Sequence, residues 1–244
     1  MEQAEYMVMD TVENNHFWFI AKRKFLDVVL QRIRANKKIK VLDVGCGTGA
    51  VMKYLATKNF LVSGIDMSET ALDYCRKKGL EVSSGLANII PYPDKSFDII
   101  FVIDVLEHLD NPSESVKEIS RVLKDGGVFI ATVPAHQWLW SYHDEALHHK
   151  KRYSKKEFAD LFNDGFVLEI ISWIHAFILL PAIFMRFFKN KNNGSDVKEP
   201  PFIINKIMSL VYTVEIIVFK TLHYYLPFGL SLLVVARKKK FGTK

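Results

Sequence analysis

Residues 41–50 read VLDVGCGTGA, an apolar run that leads into three alternating glycines. The apolar part, together with the KKIK that precedes it, is typical of a buried strand. Gly45, Gly47 and Gly49 permit a tight turn and let a ligand approach the backbone closely at the start of the next helix. The stretch therefore predicts a strand, a bare-backbone turn and a helix, in that order.

The same alternation continues along the chain and predicts the fold class. Strands separated by helices of moderate length favour parallel pairing with right-handed crossovers and a ligand site at the carboxyl edge of the sheet. We expect an α/β fold with a doubly wound, mostly parallel sheet of seven strands. The predicted strands are 39–44, 60–65, 80–84, 97–103, 127–133, GFVLEIISW (165–173) and LSLLVVARK (230–238), and the predicted helices include 49–57, 68–78 and 112–123.

The pattern also predicts the domain organisation. A segment from about 17 to 35 has helical spacing, a capped helix begins near Ser154, and an apolar stretch separates the last two strands. We expect four parts, which are an N-terminal lid or helix, a core, an apolar helical insertion, and a last core strand with a basic tail. Their limits are 1–37, 38–173, 174–228 and 229–244.

Composition narrows the class of protein. Residues 1–150 carry a net charge of −2 and residues 151–244 carry +8, an excess that can attract an anionic partner. Cys46 and Cys75 show neither metal-ligand spacing nor a disulfide pattern, so we expect no metal and a reducing compartment. The acidic start lacks the order of a secretory signal, which predicts a cytoplasmic protein.

Two acidic residues decide between candidate ligands of the glycine turn. With Ala50 the turn also fits the fingerprint of a dinucleotide-binding protein, and Asp66, at the end of the next strand, is able to bind ribose hydroxyls in either case. Asp43 lies just before the turn, where a carboxylate disfavours a pyrophosphate and suits the cationic amino group of S-adenosylmethionine. The residues thus favour S-adenosylmethionine, and a nicotinamide-dependent oxidoreductase is the alternative.

Five motifs in order resemble the class I S-adenosylmethionine-dependent methyltransferases of the small-molecule type. VLDVGCGTG is similar to their first motif, GIDMS to their second-strand end, ANIIPYPDKSFDIIFVIDVLEHLDNP to their third and fourth, and LKDGGVFIATVP to their fifth. The tetrapeptide that nucleobase amino methyltransferases use after the fourth strand is absent, which argues against a nucleic-acid substrate. The resemblance implies a Rossmann-like fold and S-adenosylmethionine as cofactor.

The resemblance also assigns cofactor-binding residues. It implies that the turn surrounds the methionine part, that Asp66 holds the ribose hydroxyls and that Met67 packs on the adenine. Leu86 stands where relatives often have an acidic residue, so adenine recognition there falls to the backbone. The implied cofactor-binding residues in the core are Asp43, Gly45, Cys46, Gly47, Thr48, Gly49, Asp66, Met67, Leu86, Ala87, Asp104 and Val105.

Two further segments resemble a subgroup of these enzymes. NNHFWFIAKRKFL is similar to its HFWFxxR element, which implies that Trp18 closes over the cofactor and Arg23 meets the methionine carboxylate. The alternative is an amphipathic helix that packs on the sheet. The loop after the fifth strand is similar to the subgroup's histidine pattern, so we expect that Asp144 orients a histidine that acts as a general base, either His143 or His148. The alternative is that these residues form a hydrogen-bonded structural cluster.

The apolar insertion predicts an apolar surface that has to be buried against lipid or protein. Its two apolar pieces, 173–188 and 202–226, are interrupted by charged residues and do not look like clean membrane spans. In the second piece a polar stripe that includes Lys206 and Lys220 leaves most of the helix circumference apolar. With Lys189, Lys191 and the terminal ARKKK, this favours peripheral attachment to an anionic membrane, and a homodimer interface is the alternative.

We therefore expect methyl transfer from S-adenosylmethionine to a small acceptor at or near a membrane, and lipid- or glycan-linked compounds are the candidates. Two alternatives remain open, the nicotinamide-dependent oxidoreductase and a noncatalytic S-adenosylmethionine-binding partner in a membrane biosynthetic complex.

Overall fold

The structure is a computed structural model that describes residues 3–35, 38–188 and 200–240. Its strands are β1 (Lys40–Val44), β2 (Leu61–Asp66), β3 (Glu81–Ser84), β4 (Phe97–Ile103), β5 (Leu123–Pro134), β6 (Phe166–Ile174) and β7 (Ser231–Lys238). Its helices are α1 (Gln3–Val12), α2 (Phe17–Arg32), α3 (Ala50–Ala56), α4 (Glu69–Lys77), α5 (Pro112–Val122), α6 (Tyr142–Ala146), α7 (Lys155–Asp160), α8 (Leu179–Phe188) and α9 (Phe202–Thr221).

The strands form one sheet in the order β3-β2-β1-β4-β5-β7-β6. The pairs from β3 to β5 are parallel, and β7 lies between β5 and β6 and runs antiparallel to both. The predicted seven-stranded, mostly parallel α/β sheet is therefore confirmed. Strands β1, β4, β5 and β7 are buried over most of their length, which explains why they read as continuous apolar runs.

Helices cover both faces of the sheet and place the core in two layers. On one face α5 buries Val116, Ile119 and Val122, and Phe158 of α7 packs against the same strands. On the other face α2 and α9 pack together, with the Phe25 and Phe219 ring centroids 5.4 Å apart. The helices thus leave the carboxyl edge of the parallel strands to the loops.

Polar contacts fix α9 along α2. Glu215 is fully buried, and its carboxylate accepts hydrogen bonds from the backbone N–H groups of Ala176 (2.8 Å) and Phe177 (3.3 Å). Thr213 accepts from Lys24 Nζ at 2.8 Å. The polar stripe predicted on this helix therefore lies at the border of the contact with α2. Residues 189–199 of the insertion, including Lys189 and Lys191, lie outside the described residues.

The outer face of α9 is apolar and exposed. Residues at alternating spacings of four and three form this face, and they are Ile203, Ile207, Leu210, Val214 and Ile217. In the part of the chain that the structure describes, α9 is the one helix long and apolar enough to cross a membrane by length and composition. This differs from the sequence-based expectation, because the charged residues that interrupt the apolar piece are too few to exclude a span.

The basic tail is not free to meet lipid as expected. Arg237 forms an ion pair with Glu169 and donates to the carbonyl oxygen of Gly126 at 2.8 Å. Lys238 is buried and donates to the carbonyl oxygens of Ser120 (2.6 Å) and Leu123 (2.8 Å). These two residues therefore belong to β7 and its neighbours, and Lys239 and Lys240 are the exposed cations of the described tail.

Candidate functional site

The glycine turn between β1 and α3 has the backbone that its sequence predicts. Gly45 and Gly49 have φ angles of 72° and 89°, in the left-handed region that favours glycine. A Cβ atom on Gly45 would lie 2.5 Å from Cγ2 of Val105, so a side chain would displace that residue. Gly45 and Val105, predicted to share the site, are therefore in direct contact.

Two carboxylates flank this turn. Each oxygen of Asp66 accepts a backbone hydrogen bond, from Gly47 N and Ser68 N, both at 2.9 Å. Since a carboxylate offers about four lone-pair positions, Asp66 keeps acceptor capacity for the hydroxyls of a ribose.

Asp43 is a buried carboxylate beside the glycine turn. It is 3% exposed, and its side chain forms no hydrogen bond with any described residue. Burial, with the negative charge of Asp66 as the second cause, raises the pKa of Asp43 to about 8. An ammonium group that binds beside Asp43 would stabilise the ionised form. The observation fits the amino group of S-adenosylmethionine.

Asp104 follows β4 and is held by two side chains. Its carboxylate accepts a hydrogen bond from Thr132 Oγ1 at 2.8 Å and forms an ion pair with Lys22. Burial alone would raise the pKa of Asp104, but Lys22 and Thr132 outweigh it and lower the pKa below its usual value. Asp104 is thus an ionised group beside the turn, and Lys22 is a site residue that the sequence analysis missed.

Trp18 and Arg23 of the N-terminal aromatic element contact other parts of the protein. Arg23 donates to the carbonyl oxygens of Glu13 (2.7 Å) and Asn14 (2.9 Å). The Trp18 ring stacks on His175, with centroids 4.2 Å apart. These contacts match the alternative of a packed helix, because Trp18 faces the start of the insertion. A contact of either residue with the cofactor stays a prediction.

Helix α1 belongs to the segment predicted to form an N-terminal lid or helix, and it lies against the glycine turn through contacts that the sequence does not indicate. Glu13, just after α1, is buried, hydrogen-bonds the hydroxyl of Thr48 and forms an ion pair with Lys78 at 2.6 Å. Lys78 also donates to the carbonyl oxygen of Thr48 at 2.7 Å. The Met9 methyl group would lie 4.0 Å from a Cβ atom on Gly47. The segment that contains α1 and Glu13 is therefore attached to the glycine turn through Thr48 and Lys78.

The predicted adenine-binding residues lie at the ends of β2 and β3. Met67 is 76% exposed, Leu86 is exposed and Ala87 is buried. Leu86 forms an isolated bridge with Ile89, which closes the turn after β3. An exposed apolar side chain such as Met67 is available to pack on a flat ring.

The loop after β5 that contains Asp144 and the neighbouring histidines forms a hydrogen-bonded group. Asp144 accepts from His149 Nδ1 at 2.9 Å and from Arg152 Nε at 2.7 Å, and it caps α6 through Ser141. Asp144 therefore orients His149, a residue that the sequence analysis did not name, and the predicted roles of His143 and His148 stay predictions. Successive residues of a helix point about 100° apart, so neighbouring side chains leave the helix in different directions. After α6 the chain turns, His149 N donates to the carbonyl oxygen of Asp144 at 2.9 Å, and the His149 side chain comes to lie against Asp144. His148 is exposed.

His149 meets a second pair of polar residues next to β4. Glu107 and His108 form a short 3-10 helix after Asp104, and the rings of His108 and His149 are 4.8 Å apart. Burial and the charge of Asp104 raise the pKa of Glu107, whereas burial and the neighbouring His149 lower that of His108 to about 4. The sequence analysis did not foresee this cluster, because nothing in the sequence places residue 149 beside residue 107.

Comparison with known proteins agrees with this geometry. A family described as a methyltransferase domain matches residues 42–131. An uncharacterised protein of Methanocaldococcus jannaschii is 30% identical over 186 residues, 75% of this chain and 72% of that protein. A structure of an S-adenosylmethionine-dependent methyltransferase from Archaeoglobus fulgidus superposes with a TM-score of 0.60 at 19% identity and covers 88% of this chain and 94% of that one.

Two curated relatives have named activities. The ubiquinone biosynthesis O-methyltransferase of Azoarcus sp. is 39% identical over 103 residues, 38% of this chain and 44% of that protein. The fatty-acid O-methyltransferase of Mycolicibacterium smegmatis is 33% identical over 99 residues, 38% of this chain and 36% of that protein. The chain thus spans less than half the length of these two relatives.

The fold is Rossmann-like, with a glycine turn after β1 and the buried carboxylate of Asp43 beside that turn. The chain belongs to the class I S-adenosylmethionine-dependent methyltransferases, and S-adenosylmethionine is its cofactor. The family resemblance drawn from the sequence motifs is thereby confirmed, and membership of the subgroup with the N-terminal aromatic element stays a prediction.

Proposed function

We propose that this chain transfers the methyl group of S-adenosylmethionine to a hydroxyl oxygen of an apolar acceptor, one that is lipid-linked or otherwise lipid-like. The observation that carries the proposal is the position of Glu107, His108 and His149. Glu107 and His108 follow Asp104 and Val105 along the loop after β4, and Val105 packs on the glycine turn. His149, in the loop after α6, contacts the His108 ring. Groups with oxygen and nitrogen lone pairs therefore lie beside the cofactor turn, where an acceptor hydroxyl would meet them.

The names of the relatives support oxygen as the methylated atom. Both the Azoarcus and the Mycolicibacterium proteins are named O-methyltransferases, one in ubiquinone biosynthesis and one acting on fatty acids. Both names point to compounds with long apolar parts. An apolar acceptor also agrees with the exposed apolar face of α9.

The residues of the chain divide the work between donor and acceptor. S-adenosylmethionine supplies a methyl group on a sulfonium sulfur that leaves as a neutral thioether. Asp43 holds the ammonium group, and Asp66 accepts from the ribose hydroxyls with its remaining lone pairs. As the new oxygen–carbon bond forms and the sulfur–carbon bond breaks, the hydroxyl proton passes to the polar cluster. Removal of this proton by a positioned group contributes roughly a hundred- to ten-thousandfold in rate, and alignment of the reactants contributes the rest.

A turnover assay tests the proposal. The purified chain is incubated with S-adenosylmethionine and an extracted lipid fraction, and products are identified by mass spectrometry as compounds that gain one methylene unit. At S-adenosylmethionine concentrations below saturation, Asp43→Asn should slow product formation, whereas Asp73→Asn, which changes an exposed carboxylate, should retain the wild-type rate. Formation of product on nitrogen or carbon would refute the choice of oxygen. Full turnover by the single variants His143→Ala and His148→Ala would exclude those histidines as the base.

The fold alone does not decide the reaction. The [4+2]-cyclase SpnF superposes on this chain with a TM-score of 0.61 at 21% identity, covering 91% of this chain and 83% of that one. The noncatalytic alternative would be favoured by tight binding of S-adenosylmethionine without consumption. The oxidoreductase alternative would be favoured by tight binding of a nicotinamide dinucleotide in the same titration.

We also propose that the outer face of α9 lies on an anionic membrane. The inner face is fixed to α2 through Glu215 and Thr213, so the helix lies along the protein rather than across the bilayer. Its outer stripe of five large aliphatic residues (203, 207, 210, 214 and 217) is exposed, and Lys220 is exposed at its end. An apolar stripe beside basic residues is typical of a helix in the membrane interface.

Flotation with vesicles tests this attachment. The chain should float with phosphatidylglycerol-containing vesicles. The double variant Leu210→Glu with Val214→Glu should lose about a hundredfold in partitioning, because each residue contributes about 1.5 kcal/mol on burial. The matched double variant Leu61→Glu with Val167→Glu, exposed residues on strands, should float like the wild type. A stable dimer in light scattering that ignores vesicles would overturn the proposal in favour of a homodimer interface.

A further inference from the structure

The site contains a cluster that resembles a metal centre. The candidate ligand atoms of Glu107, His108 and His149 all lie within 4.8 Å of one another. Bonds of about 2.1 Å from a metal ion hold the ligand atoms of a tetrahedral site about 3.4 Å apart, so the cluster has to contract by about 1 Å around an ion.

Backbone contacts hold the two segments of the cluster together. Lys150 N donates to the carbonyl oxygen of Glu107 at 2.7 Å. The hydroxyl group of Tyr153 is buried and donates to the carbonyl oxygen of Leu106 at 3.0 Å. The loop that carries His149 is therefore fastened to the 3-10 helix that carries Glu107 and His108. Such a scaffold positions ligand atoms before an ion arrives.

Glu107 is a buried carboxylate without a partner. It is 0% exposed, and neither of its oxygens accepts a hydrogen bond from another described residue. The two nearby cations are engaged elsewhere, because Lys22 pairs with Asp104 and Arg152 pairs with Asp144. An unpaired buried carboxylate is unfavourable, and coordination to a metal ion is one way that proteins satisfy it.

His149 is oriented in the way that metal-binding histidines usually are. Its Nδ1 donates to Asp144 Oδ1 at 2.9 Å, so the lone pair of Nε2 is the one left for a ligand. Asp144 is itself fixed by Arg152 Nε at 2.7 Å and Ser141 N at 2.9 Å. This chain of hydrogen bonds sets the tautomer and the direction of the imidazole.

We propose that Glu107, His108 and His149 bind a divalent transition-metal ion. Two imidazoles and one carboxylate suit Zn²⁺, Mn²⁺, Fe²⁺ or Co²⁺, and three protein ligands leave coordination positions open. The sequence-based expectation of no metal considered cysteine spacing only, whereas these ligands are histidine and glutamate.

If the proposed O-methyl transfer holds, an open position takes the acceptor oxygen. A bound ion would lower the pKa of the hydroxyl. With the three side chains engaged as ligands, the hydroxyl proton would pass to solvent instead of to the cluster, before the oxygen attacks the methyl carbon. No electron changes hands. Asp104 precedes Glu107 by three residues along the same loop.

Titration with Co²⁺ tests the site without any turnover. The protein is first freed of metal with a chelator. On titration it should bind one Co²⁺ ion per chain and show a visible absorption band typical of nitrogen and oxygen ligands. Glu107→Gln and His149→Ala should lose this band. Asp144→Asn keeps all three ligands and should weaken binding about ten- to a hundredfold. His223→Asn, which alters an exposed histidine after α9, is the matched control and should bind like the wild type.

Calorimetry with S-adenosylhomocysteine on the same samples separates the two proposals. Its binding should persist in Glu107→Gln and His149→Ala, which shows that these variants are folded. Absence of the Co²⁺ band in the wild type, or an unchanged band in Glu107→Gln, would overturn the metal site even if methyl transfer is observed. A metal-dependent band without methylation of any hydroxyl would leave the metal site standing and refute the proposed function.

Discussion

The strongest test of the cofactor site is the pH dependence of binding at Asp43. Because the pKa of Asp43 in the free protein is about 8, about one-tenth of the molecules carry the ionised form at pH 7 and about one-hundredth at pH 6. Only that form pairs with the ammonium group of the ligand. The apparent dissociation constant is the intrinsic one divided by the competent fraction, so binding strengthens as pH rises.

We expect the Kd of S-adenosylhomocysteine to fall about tenfold from pH 6 to pH 7, which corresponds to about 1.4 kcal/mol. The gain levels off near pH 8, where Asp43 is largely ionised and the α-amino group of the ligand begins to lose its proton. Isothermal titration calorimetry in buffers of constant ionic strength measures this slope. S-adenosylhomocysteine is the suitable ligand because it keeps the amino acid part and does not react.

The variant Asp43→Asn removes the titrating group and keeps its size. Its Kd should not change between pH 6 and pH 7, and at pH 8 it should be at least about thirtyfold above that of the wild type, from a loss of about 2 kcal/mol. Asp73→Asn should follow the wild-type slope. A flat profile in the wild type, or the full slope in Asp43→Asn, would show that Asp43 does not hold the ammonium group.

Three changes test the supporting contacts. Lys22→Met leaves Asp104 without its cation and should lower the free energy of unfolding by about 1–2 kcal/mol at pH 7. Because the pKa of Asp104 is lowered in the folded chain, this loss should shrink as pH falls below about 3.8, as urea titrations at several pH values would reveal. Glu215→Ala orphans two buried N–H groups and should cost about 2–4 kcal/mol by the same method, and a neutral result would mean that α9 is not fastened there. Tyr153→Phe removes the hydrogen bond to Leu106 and should cost about 1 kcal/mol without altering calorimetric binding of S-adenosylhomocysteine.

The sequence predicts the sheet well because the signals are local. The run at 41–50 contains strand, turn and carboxylate within ten residues, and the structure places Asp43, Gly45 and Val105 together. Likewise, the limits 97–103 predicted for the fourth strand are those of β4. Local patterns of this kind depend on backbone preference and alternation of burial, both of which are written in consecutive residues.

Side-chain direction on helices is where prediction from the sequence fails. Arg23 fits the expected motif, yet its neighbour Lys22 reaches Asp104 while Arg23 meets the end of α1. Likewise, the sequence did not indicate that His149 is a partner of Asp144. One residue along a helix rotates the side chain by about 100°, and packing against distant elements decides which one faces the site.

Contacts between distant segments were equally hidden. Nothing in the acidic start indicates that Glu13 pairs with Lys78 and covers Thr48. The apolar second piece of the insertion predicts a helix, but that Glu215 is an inward-facing acceptor depends on the backbone of residues 176 and 177. Such pairs depend on tertiary packing, which a single sequence does not display.

The position of β7 has a consequence for how the chain is made. Because β7 follows β5 and β6 along the chain but lies between them in the sheet, a nascent chain on the ribosome displays two open strand edges until residues 231–238 emerge. Unpaired edges invite association with other chains, and pairing across long sequence separations is slow. Expression trials should therefore find that shortening the chain within residues 231–238 yields insoluble protein, whereas chaperone supply should raise the yield of the intact chain.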